Sequence, residues 1–310
     1  MTNNQSFSNV ARRFFRAYRN GSVRVGHSFI RRLVEPCLAQ QQEIQLRSGL
    51  KLQLDLSKGN QSAIFWHDGD VDVHLYWAIR ELVPLGGLFV DCGANCGLMG
   101  LLARQYRLAS VVFIEPHPRL AKSIRANIQL NQFSSACELV EAAVSDVSGE
   151  VTFYEDPQND GSHSVHSDWG SKMNILGKVQ CVTFREIITT KNLRKIHFLK
   201  IDTEGNDQNV LNSIGDYLRP DFLEIIYVEM PKDREAICHQ LRASGYVGFA
   251  VTTKSRREIS LMQRDYETGG QPSFFEPLSE TLHTGGDVLW CGKGSRTAAY
   301  LNHLHLVEPK

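Results

Sequence analysis

Apolar positions in this chain fall into short runs and helical stripes that alternate from residue 43 onward. Between Glu43 and Leu56 every second residue is apolar (Ile44, Leu46, then Leu50, Leu52, Leu54 and Leu56), with a break at Ser48-Gly49, which predicts a β-hairpin closed by a glycine turn. Trp66 to Gly69 reads as a polar turn, and Val73, Tyr76, Trp77, Ile79 and Leu82 as a helix stopped by Pro84. Leu88 to Val90 is a buried strand ending in Asp91; Leu98, Met99, Leu101, Leu102 and Tyr106 then recur at helical spacing. Further strands follow at Ser110–Glu115, Glu138–Val144, Val151–Tyr154, Val179–Val182, His197–Ile201, Asp221–Val228, Gly245–Val251 and Asp287–Cys291, with helices at Pro118–Asn131 and Thr183–Thr190. Strands alternating with helices predict a doubly wound α/β sheet, and the closing strand at Asp287–Cys291 argues against a separate C-terminal domain.

Between the first buried strand and its helix lies Cys92-Gly93-Ala94-Asn95-Cys96-Gly97. Glycine permits positive φ and lets a ligand approach the main chain, and a helix N-terminus offers unpaired N–H groups to an anionic group, so this turn is a candidate for a nucleotide-like ligand. Glu115 follows Asp91 by 24 residues at the end of the next strand. That is the place from which a carboxylate accepts hydrogen bonds from ribose hydroxyls in nucleotide-binding α/β folds. The dehydrogenase pattern G-x-G-x-x-G is absent, which weighs against a nicotinamide-dependent oxidoreductase, the alternative on the same sheet. Asp202 and Glu229 also close apolar runs, so four acids are expected at one sheet edge, where open α/β sheets bind ligands. A non-catalytic cofactor-binding module would keep the glycine turn and lose these acids. The polar stretch Asp156 to Gly170, with His163, His166 and Trp169, is a candidate substrate lid.

Composition alters this picture in three places. The 310 residues are 42% hydrophobic and 22% charged, with no apolar stretch long enough to span a bilayer. Seven scattered cysteines point to a reducing, cytoplasmic compartment, and Cys92 and Cys96 lack the second ligand pair that zinc requires. The zero net charge conceals an asymmetry: residues 1–50 hold eight arginines and two acids, a net +6, which leaves −6 on the remainder. An acidic body disfavours nucleic acid. The basic arm, with Val10, Phe14, Phe15 and Tyr18 among its arginines, reads as an extension suited to peripheral contact with an anionic membrane, or as a transit peptide.

The blocks FVDCGANCG, FIEPHP, RANIQLN, LKIDTEGND and IIYVEM, in that order, resemble the FkbM-type S-adenosylmethionine-dependent methyltransferases over roughly residues 60–230. The resemblance implies a class I methyltransferase fold with a seven-stranded sheet and one antiparallel strand. It also implies S-adenosyl-L-methionine as cofactor and methyl transfer to a hydroxyl of a sugar, glycolipid or secondary metabolite. The expected organisation is a basic helical extension over 1–42 and a single methyltransferase domain over 43–310. Asp91, Gly93, Ala94, Asn95, Gly97, Glu115 and Ser145 are the expected cofactor residues. Departures from the family pattern stand at Cys92, Thr203, Arg185 and Asp207.

A hydroxyl is a poor nucleophile while protonated, so a carboxylate or imidazole should take its proton. Asp202, Glu204 and His163 are the catalytic candidates. No metal is assigned; a variant in which Asp202 and Glu229 hold Mg²⁺, as a metal serves catechol O-methyltransferase on a similar sheet, would lower the acceptor's pKa.

Overall fold

In strand β3 (Leu88–Cys92) Asp91 is the one polar residue of a run that alternates perfectly between two apolar layers. Phe89 packs with Val111, Phe113, Phe198 and Leu289 on one face of the sheet. Val90 and Cys92 pack with Val112, Ile114, Leu199 and Ile201 on the other. A strand buried on both faces belongs in the middle of a helix-covered parallel sheet. In the computed structural model β3 lies there. The structure describes residues 38–169, 173–229, 234–251, 262–263, 265–272, 274–278 and 286–306.

The main sheet combines β3 with β4 (Ser110–Ile114), β5 (Cys137–Val140), β9 (Phe198–Ile201), β10 (Ile225–Val228), β11 (Tyr246–Val251), β12 (Phe275–Pro277) and β13 (Val288–Gly292) in the order β12-β11-β13-β10-β9-β3-β4-β5. Strands β5, β4, β3, β9 and β10 are parallel, and β13 runs antiparallel between β10 and β11. The expected seven strands with one reversed are all present. Short β12 adds an eighth at the edge, antiparallel to β11. The chain winds outward from β3 through β4 to β5, then restarts at β9 on the other side, so the strand order reverses between β3 and β9.

Helices cover both faces. α2 (Val73–Leu82), α3 (Leu98–Arg107) and α8 (Arg296–Leu306) share the Phe89 layer. α5 (Phe184–Thr190), α6 (Asp207–Ile214) and α7 (Arg234–Ala243) share the Val90 layer. Among the described residues no helix is long and apolar enough to cross a membrane.

Outside the main sheet, β1 (Gln41–Gln45) and β2 (Lys51–Asp55) form the predicted hairpin, pairing Gln41 with Asp55. The expected domain boundary at 42/43 thus falls inside β1; of the basic extension, residues 1–37 lie outside the described residues. The hairpin is held by α4 (Pro118–Leu130) through side chains that imitate a neighbouring strand. Asn127 Oδ1 accepts from Gln53 N (2.7 Å), and Asn131, just past the helix, both accepts from Lys51 N and donates to Lys51 O. A third sheet, β6-β8-β7, is built from β6 (Ala143–Val144), β7 (Gly149–Glu155) and β8 (Asn174–Val182). The run expected as one strand from Glu138 to Val144 is therefore divided between two sheets, β5 and β6. The segment Trp66 to Gly69, expected as a turn, begins inside helix α1 (Gly59–His67); the chain leaves that helix through left-handed Asp68 and Gly69.

Candidate active site

Because β3, β4, β9 and β10 run in parallel, their carboxyl ends share one edge. Cys92 pairs with Ile114 and Ile201, and Ile201 with Val228, so Glu115, Asp202 and Glu229 stand at equivalent heights, level with Gly93, whereas Asp91 pairs with Phe113 and Lys200 two residues further back in the sheet; three of the four expected acids share the edge. A cavity of about 320 Å³ opens at this edge, a size within the range of small-molecule sites.

The glycine turn forms its floor. At Gly93, φ is +80° and an added Cβ would land on the carbonyl oxygen of Asp202, so no other residue fits where β3 and β9 diverge. The turn's own N–H groups point inward. Gly93 N and Ala94 N both donate to Ile114 O, Asn95 N to Glu115 Oε2, Cys96 N to Asn95 Oδ1 and Gly97 N to Ala94 O. Gly100 N, in the first turn of α3, donates to Asp91 Oδ2. The expectation that this turn offers free N–H groups to an anion is corrected: from Gly93 to Gly97 every backbone donor is spent inside the protein.

Gly93, Ala94 and Asn95 line the cavity; Asp91 and Gly97 do not. Asp91 is fully buried behind it, anchoring α3 and facing Lys200, and Gly97 is the left-handed cap from which α3 starts. Ser145 is also outside: its N–H extends the β6–β8 pairing to Val182 and its hydroxyl bonds Asp146, while the cavity takes Ala142, Ala143 and Val144 instead. Asp91, Gly97 and Ser145 thus shape or flank the site without facing it.

Glu115 lines the cavity and is nearly fully buried. Each of its carboxyl oxygens accepts a backbone N–H, from His117 and from Asn95, both at 2.9 Å. Burial nevertheless pushes its carboxyl up to about 7. Beside it His117 caps α4, accepting from Arg119 N and contacting Glu155 through Nε2.

Across the cavity is an acid cluster with one cation among the described residues. Lys200, in β9, places its Nζ 2.9 Å from Gly93 O, 3.0 Å from Asp202 and 3.4 Å from Asp91. Burial opposes its charge, but Asp202 and Asp91 outweigh burial and keep it protonated. Burial likewise opposes the Asp202 charge, and the Lys200 ammonium with a hydrogen bond from Glu229 holds that carboxyl below the usual range. The Asp202 charge, together with burial, pushes Glu229 up to about 11, so Glu229 keeps its proton. Glu204, in a left-handed conformation (φ 53°), is raised to about 8 by burial and then by Asp202. Ligand oxygens of Asp202, Glu204 and Glu229 all lie within 4.8 Å of one another, a spacing that suits a divalent cation. Behind them Tyr227 bonds Asp287 at 2.7 Å and faces Asp72, the side-chain cap of α2, which also lines the cavity.

The Asp156–Gly170 stretch, described through Trp169, forms a strap over this cavity. Asp160 accepts from Asn60 N and Gln61 Nε2 on α1, and its carbonyl accepts from Asn95 Nδ2 of the glycine turn. Ser164 Oγ donates to Glu204 O and Trp169 Nε1 donates to the Glu204 carboxylate. His163 turns the other way. Its ring lies 4.6 Å from that of His117, on the Glu115 side, and its Nδ1 accepts from Asp156 N. The ring hydrogen must then sit on Nε2, so His163 is not poised as a base and does not join Asp202 and Glu204.

Lys200, Asp72, Asn60 and Asp160 line this site without having been singled out in the sequence. A lysine inside the apolar run HFLKI was the available signal, because a lysine in a fully buried strand demands acidic partners.

The profile described as "Methyltransferase FkbM domain" matches residues 91–252, just over half of the chain. "Methyltransferase 1" of Beauveria bassiana (strain ARSEF 2860) is 25% identical over 193 residues, 55% of this chain and 75% of that protein. Among solved structures, the METTL16 MTase domain is similar at TM-score 0.41 and 12% identity, covering 68% of this chain and 71% of that one. M. capricolum TrmK, in complex with S-adenosyl-homocysteine, is similar at TM-score 0.40 and 6% identity, covering 71% and 68%. The fold is established by the strand order rather than by likenesses of this size.

Proposed function

The chain belongs to the FkbM methyltransferase family, a group of S-adenosylmethionine-dependent enzymes, and from that premise we propose that it transfers the methyl group of S-adenosyl-L-methionine to a hydroxyl oxygen of a neutral sugar, glycolipid or secondary metabolite. The observation that carries this reading is the division of one cavity between Glu115 at one end and the Asp202–Glu204–Glu229 cluster at the other.

The residues present fit this cofactor. It carries a ribose, which suits Glu115, and a sulfonium and an ammonium, which suit an acid-rich cavity whose one lysine among the described residues is engaged by Gly93, Asp91 and Asp202. It carries no phosphate, and the N–H groups from Gly93 to Gly97 that a phosphate would use are already engaged within the protein. The same fact counts against the nicotinamide alternative, because a dinucleotide brings a pyrophosphate to this turn. When bound, the cofactor supplies an electrophilic methyl carbon.

The chain's own contribution is placement and proton management. Gly93, Ala94 and Asn95 let the main chain approach the ligand, and Glu115 holds the ribose hydroxyls. Positioning the acceptor oxygen supplies much of the rate enhancement in such a displacement. Glu204 takes the hydroxyl proton at its carboxylate; a base that titrates near 8 is matched to a neutral operating pH. Lys200 keeps Asp202 ionised, and Asp202 orients the acceptor hydroxyl beside the protonated Glu229. The spacing of the same three acids favours a second reading, in which Asp202, Glu204 and Glu229 would hold Mg²⁺ and the ion would supply Lewis acidity toward the acceptor hydroxyl.

A cytoplasmic setting belongs to this proposal, in keeping with the free Cys92, Cys96, Cys137, Cys181, Cys238 and Cys291. The test is methyl transfer from labelled S-adenosylmethionine to a panel of neutral glycans, lipid-linked sugars and polyols, with carboxylate- and phosphate-bearing counterparts. Transfer confined to the neutral members supports the reading, and transfer confined to the anionic ones overturns it. Loss of activity in EDTA and rescue by Mg²⁺ selects the metal reading over the simple base.

A further inference from the structure

We infer that the Nε2–H of His163 donates a hydrogen bond to a ring nitrogen of the cofactor's adenine, an inference that rests on the S-adenosylmethionine reading of this cavity. The strap that carries His163 is fixed at both ends. Asp160 is tied to α1 and to Asn95, and Ser164 pairs with Tyr154 through two backbone bonds, Tyr154 N to Ser164 O and Ser164 N to Tyr154 O. Between these anchors His163 lines the cavity with 8% of its surface exposed.

Its tautomer follows from its contacts. Nδ1 accepts from Asp156 N at 3.2 Å, so the ring hydrogen resides on Nε2. Burial, with the nearby His117 and Arg119 adding to it, pushes protonation of the ring down to about 3, which leaves a neutral imidazole with a single N–H across the physiological range. That N–H has no hydrogen-bond partner among the described residues. A buried donor left unpaired is costly, and such groups in folded proteins regularly mark a place that a ligand fills.

The surroundings identify the ligand's chemistry. Pro116, Leu120, Ala142, Ala143 and Phe153 line the cavity with carbon, and the Phe153 ring lies 6.5 Å from that of His163. A purine has apolar faces and ring nitrogens that accept hydrogen bonds at its edge. Carbon walls with one neutral donor match it, whereas an acceptor hydroxyl losing a proton needs a base, which this imidazole is not.

Two substitutions separate the two ring nitrogens. His163→Asn keeps an acceptor near the position of Nδ1 for Asp156 N and removes the distal donor; His163→Gln keeps a distal N–H and sacrifices the proximal acceptor. Titration calorimetry with S-adenosylhomocysteine is expected to show about tenfold weaker binding to the Asn variant, the scale of one neutral hydrogen bond left unmade, and binding within about twofold of wild type for Gln. Analogues lacking single ring nitrogens (1-deaza, 3-deaza and 7-deaza) supply the second readout. One of them should weaken wild type about tenfold, again the scale of one such bond, and bind the Asn variant no worse than S-adenosylhomocysteine does. Equal binding by wild type and Asn variant, equal weakening of both variants, or coupling of His163 to the 2′-deoxyribose analogue in place of a deaza analogue would each overturn the inference. A wild-type protein that binds no S-adenosylhomocysteine fails the cofactor reading itself; wild-type binding that the Asn variant matches fails only the role given to His163.

Discussion

The Lys200 ammonium lies 3.0 Å from the Asp202 carboxylate, two residues along the same chain, because residues i and i+2 of an extended strand project from the same face, and both line the same cavity. The lysine also bridges to Asp91 and to Gly93 O, so one buried cation ties β9 to the glycine turn and to the start of α3. Lys200→Met should therefore leave Asp91 uncompensated and lower unfolding stability by about 3–5 kcal/mol, the scale for removing one partner of a buried ion pair. Urea denaturation measures this. A loss below about 1 kcal/mol, the scale of an exposed pair, would mean that water reaches Asp91 and that the lysine does not set the charge of the cluster.

Glu204 gives the reaction a pH dependence with a definite sign. Its carboxyl is raised to about 8, so it is protonated below that pH and cannot accept a proton there. Turnover at saturating cofactor should rise as pH increases through about 8 and then level. Glu204→Gln should abolish the rise and reduce turnover by about 10²- to 10⁴-fold, the usual contribution of a positioned base. An unchanged rise in this variant would move the proton acceptor elsewhere in the cluster, with Asp202 the next residue to replace.

The elements best legible in the sequence are those whose burial is symmetrical. Strands β3, β4, β9 and β10 are apolar on both faces, and their terminal acids stand out because nothing else in those runs is charged except Lys200. β8 was legible only at its buried end. Asn174 to Gln180 is exposed or half-buried throughout and pairs with β7 where the two strands flank the strap, so no apolar run reports it. Helix α1 escaped because Gln61 and Ser62 are buried polar residues in its first turns; Gln61 serves Asp55 and Asp160, a contact no periodicity encodes. Asp91 looked like a ligand residue by position, yet its carboxylate is consumed by Gly100 N and Lys200. Whether a strand-end acid faces a cavity or a helix depends on the side chain's direction, and spacing along the chain does not report that direction.

Glu115 and the saturated glycine turn together predict which cofactor is refused. Calorimetry should show binding of S-adenosylhomocysteine and none of NAD at the same concentration, because no N–H between Gly93 and Gly97 remains for a pyrophosphate. Glu115→Gln should weaken S-adenosylhomocysteine by about 1.5–3 kcal/mol, the scale for hydrogen bonds to an ionised partner. The amide oxygen can still accept from one of Asn95 N and His117 N while its NH2 leaves the other unpaired, so a thermal melt measures how much of the loss is structural. Binding of NAD in place of S-adenosylhomocysteine would sink the methyl-transfer reading.

The basic arm, whose residues 1–37 lie outside the described structure, carries the proposal of a peripheral membrane contact. Eight arginines against two acids in residues 1–50 give +6, set against −6 on the rest of the chain, so attraction to an anionic bilayer would be concentrated in one stretch of the sequence. Each basic residue near such a surface contributes about 1 kcal/mol, and that attraction falls off within a Debye length of about 10 Å at 0.1 M salt. Full-length protein should therefore sediment with phosphatidylserine-containing vesicles at low ionic strength, release as salt rises, and ignore vesicles of neutral lipid. Protein lacking residues 1–37 should stay in the supernatant throughout while retaining S-adenosylhomocysteine binding through the cavity built from residues 60–229. Equal pelleting of the two proteins at low salt would end the proposal and leave the arm to some other use of its charge.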